Sequence, residues 1–194
     1  MRKSTRIRKT TETDIALSIT LDGNGNCNSD TGIGFMDHMF TLFAKHGSID
    51  VELTCKGDLW VDHHHTLEDL GIVMGEAVME ALGDKSGIHR YGTFYCPMDE
   101  ALSRVCIDLS GRGYLVYDVV LKRDTAGSLE TDAIKEFFYA FAIHGGLNLH
   151  ITNLYGDNTH HILESIFKAT ARALKEACTM DNSITGIPST KGIL

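Results

Sequence analysis

Met39-Phe40-Thr41-Leu42-Phe43-Ala44-Lys45-His46-Gly47-Ser48 returns about a hundred residues later as Phe137-Phe138-Tyr139-Ala140-Phe141-Ala142-Ile143-His144-Gly145-Gly146. Phe40/Phe138, Phe43/Phe141, Ala44/Ala142, His46/His144 and Gly47/Gly145 match without a gap. A repeat of this kind dictates architecture, because each copy must bury its apolar face against a partner. The match continues downstream. Ile49 to Thr54 and Leu147 to Thr152 both alternate apolar and polar residues, the period of a half-buried strand. Each strand leads to a histidine cluster, Asp62-His63-His64-His65-Thr66-Leu67-Glu68 and Asn158-Thr159-His160-His161-Ile162-Leu163-Glu164. A helix follows each cluster. The first carries Leu67, Leu70, Val73, Met74, Ala77, Val78, Ala81 and Leu82 at three-and-four spacing, the second Leu163, Ile166, Phe167, Thr170, Leu174 and Ala177. Asp62 and Asn158 are suitable N-caps, and Gly83 a suitable helix end.

Strands also precede the phenylalanine-rich segments. Asp14 to Leu21 alternates and runs into the turn signal Asp22-Gly23-Asn24-Gly25. Ala101 to Leu109 and Tyr114 to Leu121 read as strands joined at Ser110-Gly111-Arg112-Gly113. The unit of strands, helix, strand, histidine loop and helix is therefore written twice, over residues 1–92 and 93–185, with a C-terminal tail. This predicts an internally duplicated α+β fold with helices packed on one face of a mainly antiparallel or mixed sheet. With two prolines and no low-complexity linker, the chain reads as one domain.

Of the 194 residues, 43% are apolar and 23% charged, ordinary for a globular chain. The net charge of -8 excludes a nucleic-acid binder, which needs a basic surface. No apolar run approaches the roughly 20 residues of a membrane span. Arg2, Lys3, Arg6, Arg8 and Lys9 make the N-terminus basic, but no apolar segment of a secretory signal follows. The five cysteines are odd in number and contain no C-x-x-C pair, which points to reduced thiols in the cytoplasm.

Histidine and carboxylate at helical spacing provide metal ligands. Residues four apart share a helix face, so His64 pairs with Glu68 and His160 with Glu164, whereas His65 and His161 point about 100° away. His38 aligns with Glu136 in the repeat. If the halves pack about a pseudo-twofold axis, one site holds His38, His65, His160 and Glu164, and the other Glu136, His161, His64 and Glu68. Nitrogen and carboxylate ligands without thiolate suit Mn, Fe or Zn, and four ligands on an octahedral ion leave two positions open for catalysis. The same donors fit a binuclear hydrolase or a metal-storage oligomer. His46 and His144, by spacing alone, are histidines at helix ends.

Several longer motifs carry a resemblance. Gly32 to Met39, Asp62 to Asp69, Asp99 to Leu102, Asp108 to Arg112, Asn158 to Ala169 and Pro188 to Gly192 are together similar to the imidazoleglycerol-phosphate dehydratase family of histidine biosynthesis. The resemblance covers nearly the whole chain. It implies dehydration of imidazole glycerol phosphate to imidazole acetol phosphate and a duplicated fold of the ribosomal-protein-S5-domain-2 type. It implies two Mn(II) per subunit and a homo-oligomer of 24 subunits with metal sites where subunits meet. Glu12, Glu68 and Glu164 become catalytic candidates, with Glu12 as general acid/base. Arg90, Arg112, Ser189, Thr190 and Lys191 match phosphate-binding positions. His46 and Lys168 join the ligand histidines and Glu68 as substrate contacts. Many members carry histidine where this chain has Glu136. Asp99, Glu100 and Asp108 are expected beside the arginines, and Asp37 and Asp69 behind the ligand histidines.

Overall fold

In the computed structural model, which describes residues 1–194, the repeat becomes two copies of one arrangement. The first copy comprises β1 (Lys3–Lys9), β2 (Thr13–Thr20), β3 (Cys27–Asp30), α1 (Gly34–Gly47), β4 (Asp50–Gly57) and α2 (His64–Leu82). The second comprises β5 (Tyr91–Met98), β6 (Ala101–Asp108), β7 (Tyr114–Asp118), a small hairpin of β8 (Thr125–Ala126) and β9 (Leu129–Glu130), α3 (Ala133–His144), β10 (Asn148–Tyr155) and α4 (Thr159–Cys178). The sheet orders β1-β2-β4-β3 and β5-β6-β10-β7 are the same. In each, the third strand runs parallel to its neighbour and the other pairings are antiparallel. Alternation located β2, β4, β6, β7 and β10. It did not reveal β1, β3 or β5, which hold few buried apolar side chains.

The helices cover one face of each sheet, α1 and α2 on the first, α3 and α4 on the second. The repeats meet helix to helix, α1 against α4 and α2 against α3. Ile15, Leu17, Ile19, Val51 and Leu53 line the inner face of the first sheet, and Val105, Ile107, Leu149 and Ile151 that of the second, all buried. Phe40, Phe137, Phe138, Phe141 and Phe167 interlock between them. The approach of α2 to α3 requires glycine. A Cβ on Gly71 would sit 2.3 Å from the Phe137 carbonyl oxygen, and one on Gly75 2.6 Å from the Gly145 nitrogen. Backbone atoms cannot swing aside as a side chain would.

The N-terminus is tied down by Arg2, whose guanidinium pairs with Asp22 and donates to the Cys178 carbonyl at 2.6 Å. The Arg2 guanidinium and backbone N–H hold the Asp22 carboxyl at about 2. Because the folded value is depressed, the stabilisation is complete above the unfolded value near 3.9 and disappears as pH falls through about 2. The difference in unfolding midpoint between wild type and Asp22→Asn should therefore shrink as pH is lowered from about 4 to about 2. Gly71→Ala should cost about 1–3 kcal/mol by overpacking, read as a lower midpoint of thermal unfolding. An unchanged midpoint would show that α2 and α3 can separate without penalty.

Candidate functional site

The crossing of α1 on α4 brings His38, His160 and Glu164 together, with their ligand atoms within 4.8 Å of one another. His38 Nε2 lies 3.3 Å from Glu164 Oε1, and the two imidazole centroids are 5.8 Å apart. Local chemistry fixes this corner. Asn158 caps α4 by accepting the His160 N–H at 2.9 Å. The Phe35 ring meets the His160 ring at 5.2 Å, edge to face. Glu164 is 6% exposed, and Lys168 Nζ stands 3.5 Å from its Oε1. Both histidines are open to solvent. Two imidazoles and one carboxylate with no thiolate fit a first-row ion such as Mn, Fe or Zn, and no other three such groups converge within one chain.

The four-ligand sets expected from pseudo-symmetry do not form within a single chain. His65 is absent from the cluster, because it rides on α2, which packs on α3 rather than on α1 or α4. Glu136, His161, His64 and Glu68 do not converge either. Glu136 is half-buried on α3 and His64 exposed on α2, while His161 turns away from its neighbour on α4.

Where His65 and His161 do point is informative. His65 Nδ1 lies 3.0 Å from Asp58 Oδ2, with Nε2 3.9 Å from Glu12 Oε1. His161 Nδ1 lies 2.7 Å from Glu100 Oε2, with Nε2 3.8 Å from Asp99 Oδ2. The hydrogen-bonded carboxylates raise both imidazole pKa values, Asp58 for His65 and Glu100 for His161. Reciprocally, His161 and the Asn158 N–H hold Glu100 at about 2. Asp58, 5% exposed, was not singled out by sequence; its only signal is an acidic residue just before the histidine cluster. The expected orienters do other work. Asp37 accepts the Thr31 N–H at 3.0 Å, and Asp69 binds Arg8 at 2.9 Å and the Thr13 hydroxyl. Glu100 and Asp99 attend His161, and only Asp108 keeps its expected arginine.

That arginine is Arg90, at φ 72°, a left-handed conformation that few non-glycine residues adopt. Its Nε donates to Asp108 Oδ1 at 2.7 Å and its Nη1 to the Pro188 carbonyl at 2.9 Å, which fixes the tail beside Ser189. Arg112 and Lys191 are exposed, and the Lys191 N–H turns back onto the Ser189 hydroxyl at 3.2 Å. Thr190 lies between them on the surface. The Arg90 N–H bonds the Ala177 carbonyl, at the far end of α4 from His160. At 1.5 Å per residue, the helix between them spans about 25 Å. His46, half-buried on the last turn of α1, has its pKa lowered by burial and by Lys168 and Arg172. Arg123, which no pattern pointed to, borders the hollow beside His160 and His161.

Comparison with known proteins places the chain. The family profile described as imidazoleglycerol-phosphate dehydratase matches residues 31–174. The imidazoleglycerol-phosphate dehydratase of Caldanaerobacter subterraneus subsp. tengcongensis is 56% identical over 194 residues, 100% of both chains. That of Acetivibrio thermocellus is 56% identical over 187 residues, 96% of each. The crystal structure of the Staphylococcus aureus dehydratase superposes with a TM-score of 0.82 at 40% identity, covering 92% of this chain and 99% of that one. The Pyrococcus furiosus IGPD, solved in complex with (S)-C348, gives 0.84 at 35% identity, covering 97% of this chain and 100% of that one. The fold is that of a hydro-lyase acting in histidine biosynthesis. The chain belongs to the imidazoleglycerol-phosphate dehydratase family.

Arg90→Lys retains charge but loses the fork that grips Asp108 and the tail carbonyl together. KM in the dehydratase assay should rise by about tenfold or more, the worth of one charged hydrogen bond, with kcat changed less. An unchanged KM in steady-state kinetics would mean that another group places the tail.

Proposed function

We propose that the chain removes water from D-erythro-imidazole glycerol phosphate to give imidazole acetol phosphate, using two Mn(II) per subunit at sites shared between copies of the chain in a large cytoplasmic homo-oligomer. The carrying observation is the separation of about 25 Å along α4 between the histidine cluster and the Arg90 end. A small phosphorylated imidazole cannot touch both in one chain, so a second copy must complete the site. His38, His160 and Glu164 would hold one ion with His65 supplied by a neighbour, and Glu136, His161, His64 and Glu68 the other, likewise divided. Arrangement in 24 subunits accords with the family resemblance, and five free cysteines accord with a reducing compartment.

Bound Mn(II) supplies Lewis acidity toward the imidazole ring and its developing charge. The protein's own groups do the rest. Arg90, Arg112, Lys191 and the hydroxyls of Ser189 and Thr190 anchor the phosphate. The hydroxyl leaves from the carbon attached to the ring, and a proton leaves from the next carbon. The Glu12 carboxylate, which faces the Nε2 side of His65, accepts that carbon-bound proton. The resulting enol loses its hydroxyl proton and gains one at the ring-attached carbon to become the ketone; the departed hydroxide and the proton taken by Glu12 make up the one water lost. Glu164 and Glu68 hold ligand geometry from within their helices, and Lys168 and His46 border the Glu164 side.

Metal-stripped protein should be inactive on imidazole glycerol phosphate and regain turnover with Mn(II). His160→Ala should lose one bound Mn per chain and all turnover. Activity without metal, or two tight Mn in His160→Ala, would sink the metal reading. The shared site has its own test. Arg90→Ala and His160→Ala chains, each inactive alone, should regain activity when co-assembled, since about a quarter of the sites then combine two intact halves. A mixed assembly that stays inactive would place the whole site in one chain.

A further inference from the structure

Sheet register identifies residues that the two halves hold in common. Ile19 of β2 opposes Val51 of β4, and Ile107 of β6 opposes Leu149 of β10. Val51 and Leu149 are matched positions of the repeat, so Ile19 corresponds to Ile107. Seven residues back along each unbroken strand, Glu12 corresponds to Glu100. Both sit in the turn that opens the second strand of their half, and both face the last histidine of a cluster, His65 or His161.

The twins nevertheless do different things. Glu100 is fully committed: Oε1 accepts the Asn158 and Asp157 N–H groups at 2.8 and 3.2 Å, and Oε2 takes His161 Nδ1 at 2.7 Å. Glu12 makes no such bond to Nδ1 of His65, because Asp58 already occupies that nitrogen from the other side. Its carboxylate stands 3.9 Å from Nε2 instead. In both halves a carboxylate on Nδ1 fixes the proton there and leaves the Nε2 lone pair outward.

We propose that Asp58 and Glu100 are positioning residues that set His65 and His161 with Nε2 as the ligating atom, and that Asp58, by taking this task in the first half, frees Glu12 for proton transfer while its twin Glu100 stays structural to the site. The proposal rests on the metal reading above. It divides two pseudo-equivalent glutamates into one that moves a proton and one that aims a ligand. Glu100→Gln isolates the effect. The glutamine oxygen can keep the Asn158 and Asp157 N–H groups, which turns its amide N–H toward Nδ1 and drives the imidazole proton onto Nε2.

The test is Mn(II) titration of stripped full-length protein, with free ion counted by its EPR signal. Wild type should bind two Mn per chain. Glu100→Gln and Asp58→Ala should each weaken one of the two by about 10–100-fold, with assembly and the unfolding midpoint of the metal-free protein preserved. Glu12→Gln should bind both Mn as wild type does and lose turnover. Should Asp58→Ala fail to fold, the exposed Glu100→Gln carries the test alone. Wild-type Mn affinity in Glu100→Gln, or a lowered metal-free midpoint as its sole effect, overturns the inference and leaves the metal reading intact. Weakened Mn binding in Glu12→Gln overturns the division of labour. A wild-type chain that binds no Mn overturns both readings.

Discussion

The two repeats can approach only as far as their helix backbones allow, and at α2 and α3 that limit is set by Gly71 and Gly75 meeting the Phe137 carbonyl and the Gly145 nitrogen. The contact is steric and unforgiving, since no side chain is present to rearrange. It seats one repeat on the other with α1 against α4 as its counterpart, and that second crossing delivers His38 to His160 and Glu164. The phenylalanine core fills the space between the sheets around this pairing. A cluster of two histidines and one glutamate drawn from both halves is therefore a consequence of how the core closes.

The same pairing also determines what one chain lacks. His64, His65 and Glu68 travel with α2 and cannot join the cluster on the other helix pair. The arginine and tail that suit a phosphate lie at the opposite end of α4. The histidine cluster and the arginine end thus lie at opposite ends of α4. In the shared-site proposal, association between copies completes the catalytic apparatus.

Duplication produced two histidine clusters with equivalent geometry and then different surroundings. Each outward-turned imidazole is backed by a carboxylate, yet the carboxylates come from non-equivalent places, Asp58 after β4 in one half and Glu100 after β5 in the other. Repeats that keep a ligand while exchanging its support can reach distinct chemistry without changing fold.

Periodicity and repetition were enough to expose the duplication, strands β2, β4, β6, β7 and β10, the helices that open at the histidine clusters, and the ligand types that those clusters present. These are local properties: a backbone with period two or 3.6 shows its buried face in the order of its own residues. The resemblance carried by the longer motifs extended this to the reaction. Strands β1, β3 and β5 were invisible because they bury too few apolar side chains to show alternation. Asp58 behind His65, Glu100 behind His161, the distance between Arg90 and His160, and the absence of His65 from the cluster were decided by tertiary structure alone. Each depends on which elements meet after the chain reverses direction, and side chains brought together that way carry no fixed spacing in the sequence.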